Sequence, residues 1–166
     1  MRQAYIGVDV GSTSARAGVF DEAGKLLGSA RHPIRVWHEP GDIVEQSSDD
    51  IWAACVASVR HAMREAAVAA EQVKGIGFDA TCSLVVLNKA GRPLTVSPSG
   101  DSARNVVVWM DHRAMVETEF VNATGDRVLR YVGGAISPEM EIPKILWLKR
   151  YLPATFEAAG HFFDLA

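Results

Sequence analysis

The sequence predicts an α/β domain with a mixed β-sheet flanked by helices, on three observations. A three-stranded meander opens the chain, one long amphipathic helix follows, and short apolar runs then alternate with helical stretches. The meander begins at residues 6–20, which read as an apolar strand ending at Asp9, a polar turn, and a second apolar strand. A turn with Gly24 at its tight point leads to a third strand over 26–32. Residues 33–42 are Pro- and Gly-punctuated and read as a loop carrying Trp37 and His38.

Short polar side chains at 47–50 can cap a helix. Ile51, Trp52, Cys55, Val56, Val59, Ala62 and Met63 recur at three- and four-residue steps, which predicts a helix over 49–70 with one buried stripe. Residues 73–78 form an apolar run consistent with a buried strand that ends at Asp79. Further strands are expected over 83–88 and 106–109, separated by a turn and a polar loop over 94–105. A helix opens at 111–114 and stops before Gly125. Residues 128–132 fit either helix or strand, and Gly133-Gly134 breaks them. A last helix over 138–151 places Ile142, Ile145, Leu146 and Leu148 inside and tolerates Pro143 in its first turns. Residues 161–166 read as a strand beginning with no terminating signal, so the chain is expected to be cut from something longer.

Composition narrows the function. The 166 residues suffice for one domain with a real core, and 48% hydrophobic with 22% charged residues is ordinary for a globular protein. A net charge of −3 argues against a nucleic-acid partner, whose footprint is normally basic. Cys55 and Cys82 lack metal-like spacing and read as reduced thiols. No apolar run is long enough to span a bilayer and the N-terminus is no signal peptide, so no membrane partner and a cytoplasmic location are expected. A cut that bared an interface could also drive association, so a homodimer remains possible.

Three places share one design, a strand followed at once by polar residues: 9–14, 79–83 and 109–113. Ligands gather outside the carboxyl ends of strands in open α/β sheets, so three such ends could line one cleft. Around the turn, Gly11, Ser12, Thr13 and Ser14 can present backbone N–H groups and hydroxyls to phosphate, with Asp9 placed for Mg²⁺. Asp79, Thr81, Cys82, Asp111 and Arg113 can offer donors and acceptors to a polyhydroxylated molecule, and Trp109 an apolar ring against its carbons. Each has a plainer alternative. The Gly-Ser-Thr turn suits an ordinary hairpin, and it is neither a Walker A loop nor GxGxxG. Asp79 and Asp111 suit caps, Arg113 an ion pair with Asp111 or Glu117 on a solvated face, and Trp109 and Trp147 core filling. Cys82 suits a small buried residue better than a nucleophile.

Taken together, IGVDVGSTSARAGVFDEAGKLLG, VKGIGFDATCSLVVLNKAGRPL, NVVVWMDHRA, YVGGAISPEMEIPKILWLK and AGHFFDLA resemble the N-terminal domain of the FGGY carbohydrate kinases. They look most like the pentulose kinase branch, the D-ribulokinase or ribitol-kinase-like group. The resemblance covers essentially the whole chain. It implies a ribonuclease-H-like, actin-type ATPase fold and transfer of the γ-phosphoryl group of ATP to a sugar or polyol hydroxyl, D-ribulose being favoured, with Mg²⁺. It also implies that Asp9 faces metal and phosphate, that Ser12, Thr13 and Ser14 meet the β- and γ-phosphates, and that Arg16 lies beside them. Thr81, Cys82, Trp109 and Glu139 fall where relatives contact substrate. Glycerol kinases carry an Arg-Glu pair at the Thr81-Cys82 position, which disfavours glycerol. No catalytic residue is expected in these 166 residues, because the family's general base Asp and adenine pocket lie in the second half of its chain. Alone, the chain is expected to be inactive.

Overall fold

A computed structural model describes residues 3–166. In chain order the elements are β1 (Ala4–Val10), β2 (Ser14–Phe20), β3 (Leu26–Pro33), β4 (Trp37–Glu39), β5 (Ile43–Gln46), α1 (Ser48–Glu65), β6 (Val73–Ala80), β7 (Leu84–Asn88), β8 (Val106–Val107), α2 (Met115–Ala123), α3 (Glu141–Tyr151), α4 (Pro153–Ala158) and β9 (Ala159–Asp164). Short 3-10 helices occupy Ala70–Gln72 and Arg127–Val132. The described residues group into two compact units: residues 3–35 with 49–81 and Ala166, and residues 36–48 with 82–165.

The first unit carries a four-stranded sheet in the order β3-β2-β1-β6. The expected meander is present, β1 pairing antiparallel with β2 and β2 with β3. β6 adds to the other side of β1 in parallel, which makes the sheet mixed. Period-2 alternation puts Ala4, Ile6, Val8 and Val10 of β1, with Ala15, Ala17 and Val19 around them, on one buried face. That face packs on α1, whose buried positions Ile51, Ala54, Cys55, Ser58 and Ala62 follow the helical period. Ser58 Oγ donates to the Ala15 carbonyl at 3.0 Å. Gly28 sits where a Cβ would come within 2.6 Å of the Ala66 backbone nitrogen, so β3 approaches the helix too closely for any side chain.

Two expectations for this unit are corrected. The helix ends at Glu65, not at residue 70. Ala67 turns to φ 50° and Val68 N–H reaches back to the Met63 carbonyl at 3.0 Å, a left-handed C-terminal closure without the glycine that would have announced it. And β6 is not a buried strand: Ile76 and Phe78 are 50% and 59% exposed, because it lies at the sheet edge.

The second unit carries a separate five-stranded sheet, β4-β5-β8-β7-β9, with every pairing antiparallel. Leu84, Val86, Val96, Val107 and Leu148 form its core, with Ile145, Trp147 and Phe162 packed against them. The loop expected over 33–42 contains β4, and β8 shrinks to two residues. The helix expected from 111 begins only at Met115, and 128–132 is 3-10 helix. In α3 the buried stripe is Pro143, Lys144 and Leu148, while Ile142 is exposed. The terminal strand is β9, paired along β7, with Gly160 so close to Lys89 that a Cβ would lie 2.5 Å from its Cα. Because β8 belongs to this sheet, the three strand ends do not share one sheet, and the single-sheet argument for a common cleft does not hold.

Candidate functional site

In the first unit, parallel register sets Asp9 of β1 beside Asp79 of β6, and antiparallel register sets Asp9 beside Arg16 of β2. These three occupy the sheet face opposite α1. Beneath them Gly18, Gly7 and Gly77 are adjacent across three strands, giving a floor without side chains. A cavity of about 550 Å³ over this face is lined by Gly7, Asp9, Arg16, Gly18, Phe20 and Asp79 among others. Arg16 Nε lies 3.1 Å from Asp9 Oδ2, with both side chains about half exposed, so the pair is screened and adds little stability.

The turn between β1 and β2 is tight. Gly11 N–H donates to the Ser14 carbonyl at 3.0 Å, and a Cβ at Gly11 would stand 2.9 Å from Arg16 Nη2. Ile34 N–H donates to the Thr13 carbonyl, which ties the turn to the end of β3. Thr13 is exposed and Ser12 half-buried. Ser14 differs from expectation: it is 2% exposed, and its Oγ accepts from Arg31 Nε at 2.8 Å, so its hydroxyl is already engaged by β3. The Gly11 N–H is likewise engaged within the turn. At the end of β6, Asp79 is exposed and Thr81 N–H donates to the Val10 carbonyl, which holds this segment beside the turn.

The second unit holds the remaining residues. Cys82 is exposed with a free thiol, not buried as the sequence suggested. Trp109 is half-buried, and its N–H donates to Ser83 Oγ at 3.1 Å. Asp111 and Arg113 are not surface groups. Asp111 has no exposed area, and Arg113 Nε and Nη2 reach its two oxygens at 2.7–3.0 Å. Asp111 Oδ2 also accepts from Val44 N–H at 2.6 Å. Arg113 continues to Glu45 Oε1 and to the Val96 carbonyl, both at 2.8 Å, and its guanidinium lies 4.9 Å from the Trp147 ring centre. Glu45 is fully buried, and its other oxygen is 3.5 Å from Arg104. The sequence named the right partner for Arg113 but placed the pair on a solvated face; the structure makes it the centre of a buried charge network. Neither residue offers a donor or acceptor to a ligand.

Two residues that sequence reasoning missed matter here. Glu45 neutralises Arg113 from β5 and had no signal beyond preceding a helix cap. Lys144 is 1% exposed, and its Nζ donates to the carbonyls of Val108, Trp109 and Glu139 at 2.9, 3.0 and 3.0 Å. Its signal was a lysine four residues before Leu148, on the face where an apolar side chain belongs. Burial pushes its pKa down, while the carboxylates of Asp111 and Glu141 oppose that shift. Glu139 itself is exposed.

For a metal, no group of three or more His, Cys, Asp or Glu side chains gathers among the described residues. The half-exposed Asp9 fits magnesium held mainly by phosphates and water, with one carboxylate from the protein. No helix among the described residues is long and apolar enough to cross a membrane.

The fold is that of the actin-like ATPases, in the form found in sugar kinases. A xylulose kinase from Rhodospirillum rubrum superposes with a TM-score of 0.83 at 21% identity, over 98% of this chain and 32% of that one. Residues 4–165 match the N-terminal domain of the FGGY family of carbohydrate kinases, and the chain belongs to that family. It is 49% identical over 162 residues to the human FGGY carbohydrate kinase domain-containing protein, covering 97% of this chain and 29% of that protein. It is 48% identical over 163 residues to a D-ribulokinase of Saccharomyces cerevisiae, covering 97% of this chain and 23% of that protein. The chain therefore spans less than a third of the length of these relatives.

Proposed function

We propose that the polypeptide of which this chain forms the N-terminal domain is an ATP-dependent kinase of a pentulose or related polyol, with D-ribulose the favoured substrate. The observation that carries this reading is the 48% identity to a D-ribulokinase, sustained over 97% of the chain. The β1–β2 turn is assigned to the phosphate side: the exposed Thr13 and the half-buried Ser12 would meet the nucleotide, Asp9 would hold magnesium, and Arg16 would orient the Asp9 carboxylate. Magnesium there would neutralise charge on the transferring phosphoryl group. By the family resemblance Thr81 of the first unit and, separately, Cys82, Trp109 and Glu139 of the second are assigned to sugar contact, the Trp109 ring being suited to a sugar's carbon face. Asp79 stands next to Asp9 and accepts from a substrate hydroxyl.

The general base and the adenine pocket are assigned to sequence that the relatives carry beyond the matched share. Phosphoryl transfer depends on positioning, metal charge and an oriented nucleophile, so the 166 residues alone should not turn over. The test is ADP release by the full-length protein with magnesium, screened across D-ribulose, xylulose, ribitol and other polyols. Release that depends on D-ribulose supports the reading. ATP hydrolysis identical with and without every sugar would replace it with a nucleotide-binding actin-like module.

A further inference from the structure

Lys144 is the largest fully buried side chain among the described residues, yet it carries a group that is costly to bury. Its ammonium has three N–H donors and meets three backbone carbonyls, so its hydrogen-bonding capacity is met by main chain alone. Those carbonyls come from two separated segments. Val108 and Trp109 follow β8, and Glu139 lies in the loop ahead of α3. Near Glu139 that loop is also held by short-range bonds, Met140 N–H to the Ser137 carbonyl and Glu139 N–H to Ser137 Oγ, and farther back the Asn122 side chain of α2 bonds the Ile136 backbone at 2.8 and 3.0 Å.

A methionine would fill the same space without desolvating a charge, and replacing buried ionic groups with apolar ones of similar size is often neutral or stabilising. Packing therefore does not explain a lysine. Geometry does. One ammonium converging on Val108, Trp109 and Glu139 fixes the distance between the segment bearing the Trp109 ring and the segment bearing the Glu139 carboxylate. Glu139 is exposed and Trp109 half-buried, whereas the lysine that bonds their backbones is buried.

We propose that Lys144 is a positioning residue for sugar recognition, setting the spacing of Trp109 and Glu139 without touching the sugar. This rests on the kinase reading, and it predicts a split between the two substrates. Misplacement by about 1 Å at a positioning site can cost on the order of 100-fold. In the full-length protein, Lys144→Met should raise KM for D-ribulose on the order of tenfold or more, while KM for ATP moves less than about twofold. Lys144→Gln retains two N–H donors and should fall between wild type and Lys144→Met. In a Trp109→Leu, Glu139→Ala background, Lys144→Gln should no longer change KM for the sugar.

The outcomes separate cleanly. No sugar-dependent ADP release by the wild type overturns the kinase reading and this inference with it. Wild-type turnover with an unchanged sugar KM in folded Lys144→Met or Lys144→Gln overturns this inference alone. So does an equal rise in both KM values, or failure of both variants to fold, either of which assigns Lys144 to stability.

Discussion

The strand ends flanking the β1–β2 turn and the Trp109–Arg113 segment after β8 each carry an Asp and an Arg, yet the two are built in opposite ways. In the turn, Asp9 and Arg16 face each other about half exposed, and the shape comes from backbone: the Gly11 to Ser14 closure and the Thr13 carbonyl held by Ile34. After β8, Asp111 and Arg113 are buried, and the shape comes from charge: five carboxylate and carbonyl contacts on one guanidinium, one of them from Glu45, which completes the neutralisation. The same residue pair is screened in one place and desolvated in the other. A site that must admit an anion can hold its shape with main-chain bonds and leave its charges in water. A segment that carries an aromatic ring can be fixed from behind by ions buried within the unit.

The largest effect should come from removing the cation in each pair. Arg113→Met leaves Asp111 and Glu45 buried without their partner and should cost about 3–5 kcal/mol, a large share of the total for an ordinary domain. Arg16→Met removes a half-exposed partner and should cost less than about 1 kcal/mol. Urea unfolding of the two variants beside the wild type measures both. Equal losses would break the contrast between the regions.

Asp9→Ala sharpens it from the functional side. Its effect on unfolding should stay below about 1 kcal/mol, because its ion pair with Arg16 is screened. In the full-length protein, sugar-dependent turnover should drop on the order of 100-fold or more, as expected when a group stabilising developing charge is removed. Unchanged phosphorylation of D-ribulose by Asp9→Ala would remove Asp9 from the phosphate side.

How legible each region was follows from the same physics. The meander, the turn and the existence of a strand over 73–78 were readable because period-2 alternation, Gly24 and the strand-ending carboxylates are local signals, whereas its parallel pairing with β1 was not. The family resemblance was readable because five separate stretches occur in order. The state of each charge was not. Asp111-His112-Arg113 looks the same whether the pair lies on a solvated helix or inside a unit, and burial was decided by Glu45, 66 positions before Asp111 in the sequence. Ser14 reads as a turn hydroxyl until Arg31 of the third strand is found bonded to it. Cys82 and β6 failed in the opposite direction: apolar or small residues implied burial, but Cys82 is exposed between β6 and β7, and the edge position of β6 leaves Ile76 and Phe78 exposed. Lys144 was passed over because a lysine in a helix is ordinarily assigned to solvent.

The smallest effect concerns Glu141, which opens α3 three residues before Lys144. Burial raises its pKa above the ordinary 4.5, and the nearby Asp164 carboxylate pushes the same way, while Lys144 opposes. The folded state therefore holds a proton on Glu141 at pH values where the unfolded chain has lost it. Its contribution is fully present below the unfolded value and is lost as pH rises through the raised folded value. Glu141→Gln keeps the neutral form at every pH. The variant should match the wild type in acid and become the more stable of the two as pH climbs out of that window. Paired urea titrations from pH 4 upward, in steps of about half a unit, read the difference directly. Curves that stay parallel would place Glu141 in water, and the ionic character of this unit would then end at Lys144 instead of extending to the start of α3.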